Sequence, residues 1–382
     1  MALRIVLTAY VRFGNALAWH ALETARGLHA AGHDVVLFCK KDSPLAGWSE
    51  GAPFPVHRGH DPGNMNPAML ARGWTELRRT VREFRPDILN PHCPPGHTYL
   101  ALLRGCEHRA VPLIRTVADP RKPSPNPFNR ILHSRFTDGM IFTTQSSVRR
   151  YEPFVNMDRI PHQVILPGFR ADDFIRGAAP GGYRERLGVK PGQLLLGIIA
   201  RMSPEKGQEV LFEALSMLPA EDRERCFCVM AGEDSRERGQ ADLRDITRRF
   251  GVERHTAFYN KLDDVRPLMS ELDIGLVTST RSEAICRAAL EYMSFGIPVI
   301  ASDVNILPEV VRDGVTGLTF RNQDARSLAN ALQRLLHDAG LRHSLGLTGR
   351  HMVRGELGLP REISHVIAFC EQARSRKRAG AA

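Results

Sequence analysis

Two glutamates stand eight positions apart in the stretch RSEAICRAALEYMSFGIPVIAS (281–302): Glu283 and Glu291. A helix rises about 1.5 Å per residue, so a helix through both would separate their α-carbons by roughly 12 Å. Acid and base carboxylates that act on one glycosidic bond lie within about 5 to 9.5 Å of each other. The spacing therefore favours two contacts with one long ligand. Taken singly, each glutamate also has a structural explanation, Glu283 as an acid near a helix start and Glu291 as part of a solvated face, although the apolar residues on both sides of Glu291 disfavour the second.

Two cations stand five residues apart in the loop that follows the apolar run LLLGIIA: Arg201 and Lys206, in RMSPEKG. The arginine leaves a predicted strand, and the lysine stands where a helix is predicted to begin. A lysine at the positive end of a helix dipole is unfavourable unless an anion compensates it. The pair therefore predicts a diphosphate site, against the alternative of a solvated lysine.

A second group of phosphate ligands is predicted at the start of the helix that carries Glu291. Unpaired backbone donors are expected there, from Ala284, Ile285 and Cys286. Four preceding hydroxyls could cap the helix: Thr278, Ser279, Thr280 and Ser282. Glu283 would then stand beyond the phosphates and Glu291 at the opposite end of the ligand. A nucleotide diphosphate sugar has that length, with sugar hydroxyls for one carboxylate and ribose hydroxyls for the other.

The elements that must position these residues alternate between short apolar runs and helix-like stretches, once in each half of the chain. The first half contains LRIVLTA, residues 15–31, DVVLFC, residues 66–84, PDILN, VPLIRTV and DGMIFTT. The second half contains LLLGIIA, residues 206–218, CFCVMAG, residues 236–250, HTAFY, DIGLV, IPVIAS and GLTF. This alternation predicts βαβ units and parallel sheets, whose ligands bind beyond the carboxyl ends of the strands.

We expect two α/β domains, residues 1–168 and 169–355, because 382 residues exceed the size at which single cores stop growing. The segment 167–192 is rich in Gly and Pro and is typical of a linker. Residues 356–382 would form a helix that returns to the first domain, followed by a basic tail. The predicted helix, 361–375, needs a partner surface for one apolar face, formed by Ile363, Val366, Ile367 and Cys370.

Composition excludes several classes of protein. Hydrophobic residues at 43% and charged residues at 25% are ordinary for a globular protein, and no run of eighteen apolar residues occurs, so we expect a protein without a membrane span or a signal peptide. Seven scattered cysteines without CxxC argue against a disulfide framework and a structural zinc site. A net charge of +10 is dispersed and predicts no nucleic-acid partner. The cysteine usage fits a reducing cytoplasm. No GxGxxG, P-loop or HExxH motif is present, so we expect neither a dinucleotide dehydrogenase, a P-loop NTPase nor a zincin.

Three motifs together resemble the retaining GT-B glycosyltransferases of glycosyltransferase family 4, with its lipopolysaccharide-type members: ARMSPEKG, SEAICRAALEYMSFGIPVIAS and PEVVRDGVTGL. The resemblance is close from Val164 to Phe320 and looser in the first half. It implies a GT-B fold, α/β, of two Rossmann-like parallel-sheet domains facing across a cleft. It also implies metal-independent, hexosyltransferase-type transfer from a nucleotide diphosphate sugar with retention of configuration, and no cofactor.

The resemblance assigns roles residue by residue. Arg201 and Lys206 would stabilise the leaving diphosphate, Glu283 would contact the donor sugar and Glu291 the ribose. The donor would lie in the second domain and the acceptor, a glycan, a lipid-linked sugar or another hydroxyl compound, in the first.

Three departures from the family pattern affect the site. Ile306 and Leu307 replace a common Gly-Gly pair, and Gly14 and Asn15 stand where two glycines are common in the first loop. Ala118 replaces a common histidine, so Asp119 and Arg121 are our candidates for the missing contact to the transferred sugar. His92 and His97 also follow a strand; a turn packed by prolines is the favoured explanation, and a contact in the cleft is the alternative for His92.

Two other classes of function stay open at this point, a nucleotide-sugar epimerase of similar build and a non-catalytic sugar-nucleotide binding subunit. The epimerase would need acid and base carboxylates and a histidine facing the sugar. The binding subunit would not need both phosphate cations. A weak contact with the inner face of an anionic membrane is a further hypothesis, based on the first domain and on four tail cations: Arg374, Arg376, Lys377 and Arg378.

Overall fold

The computed structural model describes residues 2–59, 66–107, 110–119, 121–281 and 283–379. The chain divides into two compact units, Met1–Gly168 with Leu359–Ala382, and Phe169–Gly358. The chain thus enters the second unit after Gly168 and returns to the first after Gly358.

The first unit alternates strands and helices along the chain. Its strands are β1 (Arg4–Ala9), β2 (Asp34–Lys40), β3 (Val56–Gly59), β4 (Ile88–Pro91), β5 (Ile114–Val117), β6 (Gly139–Phe142) and β7 (His162–Val164). Its first six helices are α1 (Ala16–Ala30), α2 (Pro44–Trp48), α3 (Pro67–Phe84), α4 (Pro94–Cys106), α5 (Pro127–Arg135) and α6 (Gln145–Tyr151), with a 3-10 turn at Met157–Arg159.

All strand pairs in this unit are parallel, in the orders β3-β2-β1-β4 and β5-β6-β7. A single parallel bridge between Leu89 and Leu113 links the two groups across β4 and β5. The chain order reverses between β1 and β4, so the loops after these strands flank a topological switch point, where open α/β sheets bind ligands.

The second unit repeats this pattern. Its strands are β8 (Leu194–Ile199), β9 (Cys226–Ala231), β10 (Thr256–Tyr259), β11 (Ile274–Val277), β12 (Val299–Ser302) and β13 (Gly317–Phe320). Its helices are α7 (Ala171–Ile175), α8 (Tyr183–Arg186), α9 (Gln208–Met217), α10 (Ala220–Glu224), α11 (Gln240–Arg249), α12 (Arg266–Met269), α13 (Arg287–Phe295), α14 (Leu307–Val310), α15 (Ala325–His337) and α16 (Ala339–Arg354), with 3-10 turns at Pro204–Lys206 and Glu253–His255.

One parallel sheet of order β10-β9-β8-β11-β12-β13 forms the centre of the second unit. The strands are apolar on both faces because helices cover both, and a fully buried cluster around Leu196, Ile274 and Ile300 fills the space beneath α9 and α15. The strand order reverses between β8 and β11. The second switch point therefore lies between the loop of Arg201 and Lys206 and the loop that leads to Glu283.

The last helix, α17 (Leu359–Ala379), belongs to the first unit. Its buried face includes Ile363, Val366 and Cys370, which join the core cluster formed by α1, β1 and β2. Gly27 of α1 allows this close approach, since a Cβ there would lie 2.5 Å from the Ile363 side chain. None of the described helices combines the length and the apolar character needed to cross a membrane.

Candidate functional site

The loops after β8 and β11 are joined to each other at the second switch point. The Thr280 amide donates to the Glu205 carbonyl at 2.8 Å, and the Thr278 hydroxyl donates to the Lys206 carbonyl at 2.7 Å. Gly207 lies between them with φ 62°, and a Cβ there would overlap the Thr278 carbonyl oxygen. The backbone of Lys206 is therefore fixed against the loop that carries Glu283.

Lys206 and Glu283 form an ion pair in this position. The Lys206 ammonium donates to Glu283 Oε1, and the Ser279 hydroxyl donates to the same oxygen at 2.6 Å. Both charged side chains are shielded, with 25% of Lys206 and 12% of Glu283 exposed. The sequence predicted that these two residues bind one ligand, but it indicated Ser279 only as a helix cap.

Lys206 lies just before a helix, as the sequence predicts, but its charge needs no bound anion for compensation, and the diphosphate site stays a prediction. Lys206 ends the 3-10 turn Pro204–Lys206, and α9 begins at Gln208. Its charge is compensated by Glu283, a residue distant in sequence. Arg201 differs: its side chain is exposed and has no hydrogen-bond partner in the described part of the chain, and only its carbonyl is held, by Gln208 Nε2 at 3.0 Å. Arg201 is thus available to an incoming anion.

The helix that carries Glu291 is shorter than predicted. It begins at Arg287, so Glu283 precedes it and no helix runs through both glutamates. None of the described hydroxyls Thr278, Ser279 and Thr280 caps it, and Ser282 lies outside the described residues. The residue before the helix is Cys286, with φ 51° in the left-handed region.

The predicted amide donors lie in this turn, before the helix proper. Ala284 is half-buried, and Ile285 and Cys286 are buried. Within the described residues, the backbone amides of Ile285 and Cys286 donate to no acceptor. Together with the dipole of α13, these amides can donate hydrogen bonds to a phosphate oxygen.

Glu291 is buried within α13 and its Oε1 accepts from Arg287 Nε at 2.6 Å. Burial raises the pKa of this carboxyl above its usual value, and the charge of Arg287 opposes that rise. The hypothesis of a solvated face is therefore wrong. The counter-ion is one helical turn away, a pairing that the i, i+4 spacing could have indicated.

The segment that replaces the family glycines is apolar and packed. Ile306 and Leu307 are fully buried, and Leu307 begins the short helix α14. These side chains fill the core, so this loop is built differently from one that presents glycine amides.

In the first unit, Asp119 and Arg121 pair with each other beyond the carboxyl end of β5. Arg121 Nε lies 2.9 Å from both carboxylate oxygens of Asp119, and its backbone amide donates to Oδ1. Burial would raise the pKa of Asp119, but the bonds from Arg121 and the charge of Arg115 hold it below its usual value. Ala118 beside it is buried.

His92 is fully buried at the end of β4, and its ring Nε2 lies 2.9 Å from Asn90 Oδ1. Both donors of the Asn90 amide are used, toward the Ile114 carbonyl and the Thr116 hydroxyl, so Asn90 Oδ1 is the acceptor and His92 Nε2 the donor. Burial lowers the pKa of His92 well below its usual range. The structure thus favours a packed histidine.

The first loop has structural roles of its own. The Asn15 side chain caps α1 by accepting from the Ala18 amide at 3.0 Å. A Cβ on Gly14 would lie 3.0 Å from the Trp48 ring, so the glycine permits that packing. As for metals, the described residues contain no cluster of three or more His, Cys, Asp or Glu side chains that could hold an ion.

Two family models match the chain, one in each unit. Residues 15–168 match the model described as "Glycosyl transferase 4-like domain", and residues 182–352 match "Glycosyl transferases group 1". The boundaries of the matches follow the two compact units.

Among curated proteins, the chain is 29% identical over 238 residues to a D-inositol 3-phosphate glycosyltransferase of Nocardia farcinica, covering 58% of this chain and 51% of that protein. It is 28% identical over 356 residues to a protein of the same name from Stackebrandtia nassauensis, covering 85% and 80%. The match spans about half the length of several of these relatives.

Solved structures share the fold over nearly the whole chain. The Anabaena protein Alr3699/HepE in complex with UDP has a TM-score of 0.80 at 20% identity, covering 97% of this chain and all of that one. WaaG, a glycosyltransferase involved in lipopolysaccharide biosynthesis, has a TM-score of 0.64 at 19% identity, covering 95% and 99%. The predicted GT-B fold class is confirmed.

Proposed function

We propose that this chain, whose two domains belong to the 4-like and group 1 glycosyltransferase families, moves a sugar from a nucleotide diphosphate sugar to a hydroxyl-bearing acceptor. The observation that carries the proposal is the Lys206–Glu283 pair at the switch point of the second unit, with the exposed Arg201 in the same loop as Lys206. Cations and a carboxylate gathered there suit a ligand with phosphates at one end and hydroxyls at the other. The named relatives and the HepE complexes with UDP and UDP-glucose support this class of donor.

The chemistry requires that negative charge on the departing diphosphate be stabilised as the glycosidic bond breaks. Arg201 and Lys206 would supply two positive charges, and the free amides of Ile285 and Cys286 two further donors. Glu283 would accept hydrogen bonds from the donor sugar and Glu291 from the ribose. With two cations at the phosphates, we propose transfer without a metal ion or cofactor, and with retention of configuration.

The acceptor belongs to the first unit in this proposal, with Asp119 and Arg121, beyond the carboxyl end of β5, as candidate contacts. A glycan or lipid-linked acceptor in cell-envelope synthesis is the class that the likeness to WaaG favours, since WaaG is involved in lipopolysaccharide biosynthesis. Action at the inner face of the membrane is part of this proposal.

A weak membrane contact fits the segment around α5 better than the tail. Arg374 and Lys377 of the tail already pair with Asp87 and Asp138. Residues 120–137 contain four cations and no acid, and of these cations Arg121 pairs with Asp119. On the outer face of α5, Phe128 and Ile131 are 53% and 49% exposed, one turn apart. Exposed apolar groups among cations suit an anionic lipid surface.

Vesicle flotation tests this contact. The double variant Phe128→Ser/Ile131→Ser should lose binding to anionic vesicles, whereas Leu347→Ser, which changes a similarly exposed residue of α16, should keep it. Equal binding of both variants, or no preference of the wild type for anionic over neutral vesicles, would refute the contact.

The two other classes of function are weakened by different observations. A nucleotide-sugar epimerase would need acid and base groups at the sugar, but Asp119 is tied to Arg121 and His92 is buried. The two curated relatives named above are glycosyltransferases. A binding subunit without turnover remains testable, since it would bind the donor and never hydrolyse or transfer it.

The function is tested with a thermal-shift panel of nucleotide sugars, followed by hydrolysis and transfer assays with the best stabiliser. UDP-glucose is the first candidate. We expect stabilisation by one nucleotide sugar and its slow hydrolysis, both abolished in the double variant Arg201→Ala/Lys206→Ala. Binding without any turnover, with acceptor extracts present, would instead support the binding subunit.

A further inference from the structure

We infer that Glu283 discriminates between the intact donor and the spent nucleoside diphosphate, because its carboxylate competes with phosphate for Lys206. The inference rests on the proposed function and adds a role in product release. At the second switch point, Lys206, the cation proposed to bind phosphate, already forms an ion pair with Glu283.

The contact is built into the loop. Glu283 Oε1 receives the Lys206 ammonium and the Ser279 hydroxyl, and Ser279 Oγ lies 3.4 Å from the same ammonium. Ser279 is 1% exposed, and its carbonyl accepts from the Ser302 hydroxyl at 2.5 Å. A buried hydroxyl therefore holds the carboxylate against the lysine, and partial burial of both charges makes the pair stronger than an exposed one.

The competition is specific to this carboxylate. In the described residues, Glu283 is the one acid within 4.0 Å of Lys206. Glu205, the residue before the lysine, is exposed, and the described chain gives its side chain no cation partner. It carries the same formal charge a short distance away and is a matched control for long-range repulsion.

The two ligands differ in what they offer to Glu283. A diphosphate that approaches Lys206 brings a second anion to one ammonium, so it must displace the carboxylate or lie beside it against repulsion. The intact donor brings sugar hydroxyls, which can replace the lysine as hydrogen-bond donors to the carboxylate. After transfer these hydroxyls leave with the sugar. The carboxylate then returns to Lys206 and favours departure of the diphosphate.

Isothermal titration calorimetry with UDP and UDP-glucose tests the inference. Glu283→Gln should bind UDP about tenfold more tightly than the wild type, an effect equivalent to about 1.4 kcal/mol. UDP-glucose should bind no more tightly, because the variant also loses its charged acceptor for the sugar. Glu205→Gln should change UDP affinity less than twofold. In a Lys206→Ala background, adding Glu283→Gln should produce at most a twofold gain.

A second variant keeps the inference testable if Glu283→Gln misfolds. Ser279→Ala removes the hydroxyl that holds the carboxylate, and it should tighten UDP binding in the same direction by a smaller factor. Unchanged or weaker UDP binding in both Glu283→Gln and Ser279→Ala would overturn the inference, as would an equal gain for UDP-glucose or for Glu205→Gln. If the wild type binds and turns over the donor, that failure leaves the proposed function intact. A wild type that binds neither ligand overturns UDP-glucose as donor and this inference together.

Discussion

At the scale of single residues, the buried carboxylate of Glu291 has a role that kinetics can separate from that of Glu283. A contact to the ribose does not change as the glycosidic bond breaks, so Glu291→Gln should raise the donor KM and leave kcat nearly intact. The loss of a charged hydrogen bond is worth roughly 1.5 to 3 kcal/mol, about 10- to 150-fold in KM. Glu283→Gln, at the reacting end, should instead lower kcat more than it raises KM.

The ion pair with Arg287 provides the control for this prediction. Arg287→Gln removes the counter-ion of Glu291 but keeps the carboxylate, so it should lower stability without raising the donor KM as Glu291→Gln does. Steady-state kinetics tests this prediction, on variants whose circular dichroism spectra match that of the wild type. The same pattern of kcat and KM in Glu283→Gln and Glu291→Gln would contradict the placement of the donor between them.

The sequence predicted which loop residues meet but not how they are held. Lys206 and Glu283 follow strands of an apolar α/β pattern, and the carboxyl ends of parallel strands share one edge, so the proximity of their loops could be inferred. The bond from Ser279 could not, because a serine after a strand is equally a cap, a turn or a solvated residue. The left-handed conformation of Cys286, which shortens α13, also left no signal, since glycine is the residue that indicates such a turn.

At the scale of elements, a group of buried rings joins α4, α5 and α6 of the first unit. The His97 and His133 rings lie 4.8 Å apart, and His133 packs edge-on against Tyr151 at 5.6 Å. His133 also bonds through Nδ1 to the Asn129 carbonyl at 2.8 Å. Burial lowers the pKa of His133 to about 4, and the charge of buried Arg115 adds to the effect. Sequence periodicity could place these helices but not the buried arginine beneath them.

This shift predicts a loss of stability in acid. In the unfolded chain His133 takes up a proton as the pH falls below its ordinary pKa of about 6.5, whereas the folded protein resists until about pH 4. The stabilisation is complete above pH 6.5 and is lost as the pH falls toward 4, by up to about 3 kcal/mol. His133→Phe should flatten the dependence of the melting temperature on pH in this range. His365→Gln, which changes an exposed histidine, should leave this pH dependence unchanged. If the melting temperature of both variants depended on pH in the same way, the acid sensitivity could not be assigned to His133.

At the scale of the whole molecule, the chain passes between its units twice, after Gly168 and after Gly358. A single buried carboxylate holds three separate segments of the first unit near one of these points. Glu362 Oε1 accepts from His20 Nε2 at 2.8 Å, and Oε2 accepts from the Gly168 amide at 2.6 Å. The sequence predicted the apolar face of α17, because its period is regular. The sequence did not indicate the partners of Glu362, because His20 and Gly168 lie 342 and 194 positions away.

Replacing Glu362 should therefore release the last helix from the first unit. Glu362→Ala leaves the His20 ring N–H and the Gly168 amide buried without an acceptor, and each such group costs about 1 to 3 kcal/mol, so we expect a loss of about 3 kcal/mol. Hydrogen exchange should accelerate across residues 359–379, and the unfolding midpoint in urea should fall. Glu371→Ala, which removes an exposed acid from the same helix, should change neither. If hydrogen exchange is the same in the two variants, the apolar face alone holds α17 against the first unit, and the Glu362 carboxylate does not contribute.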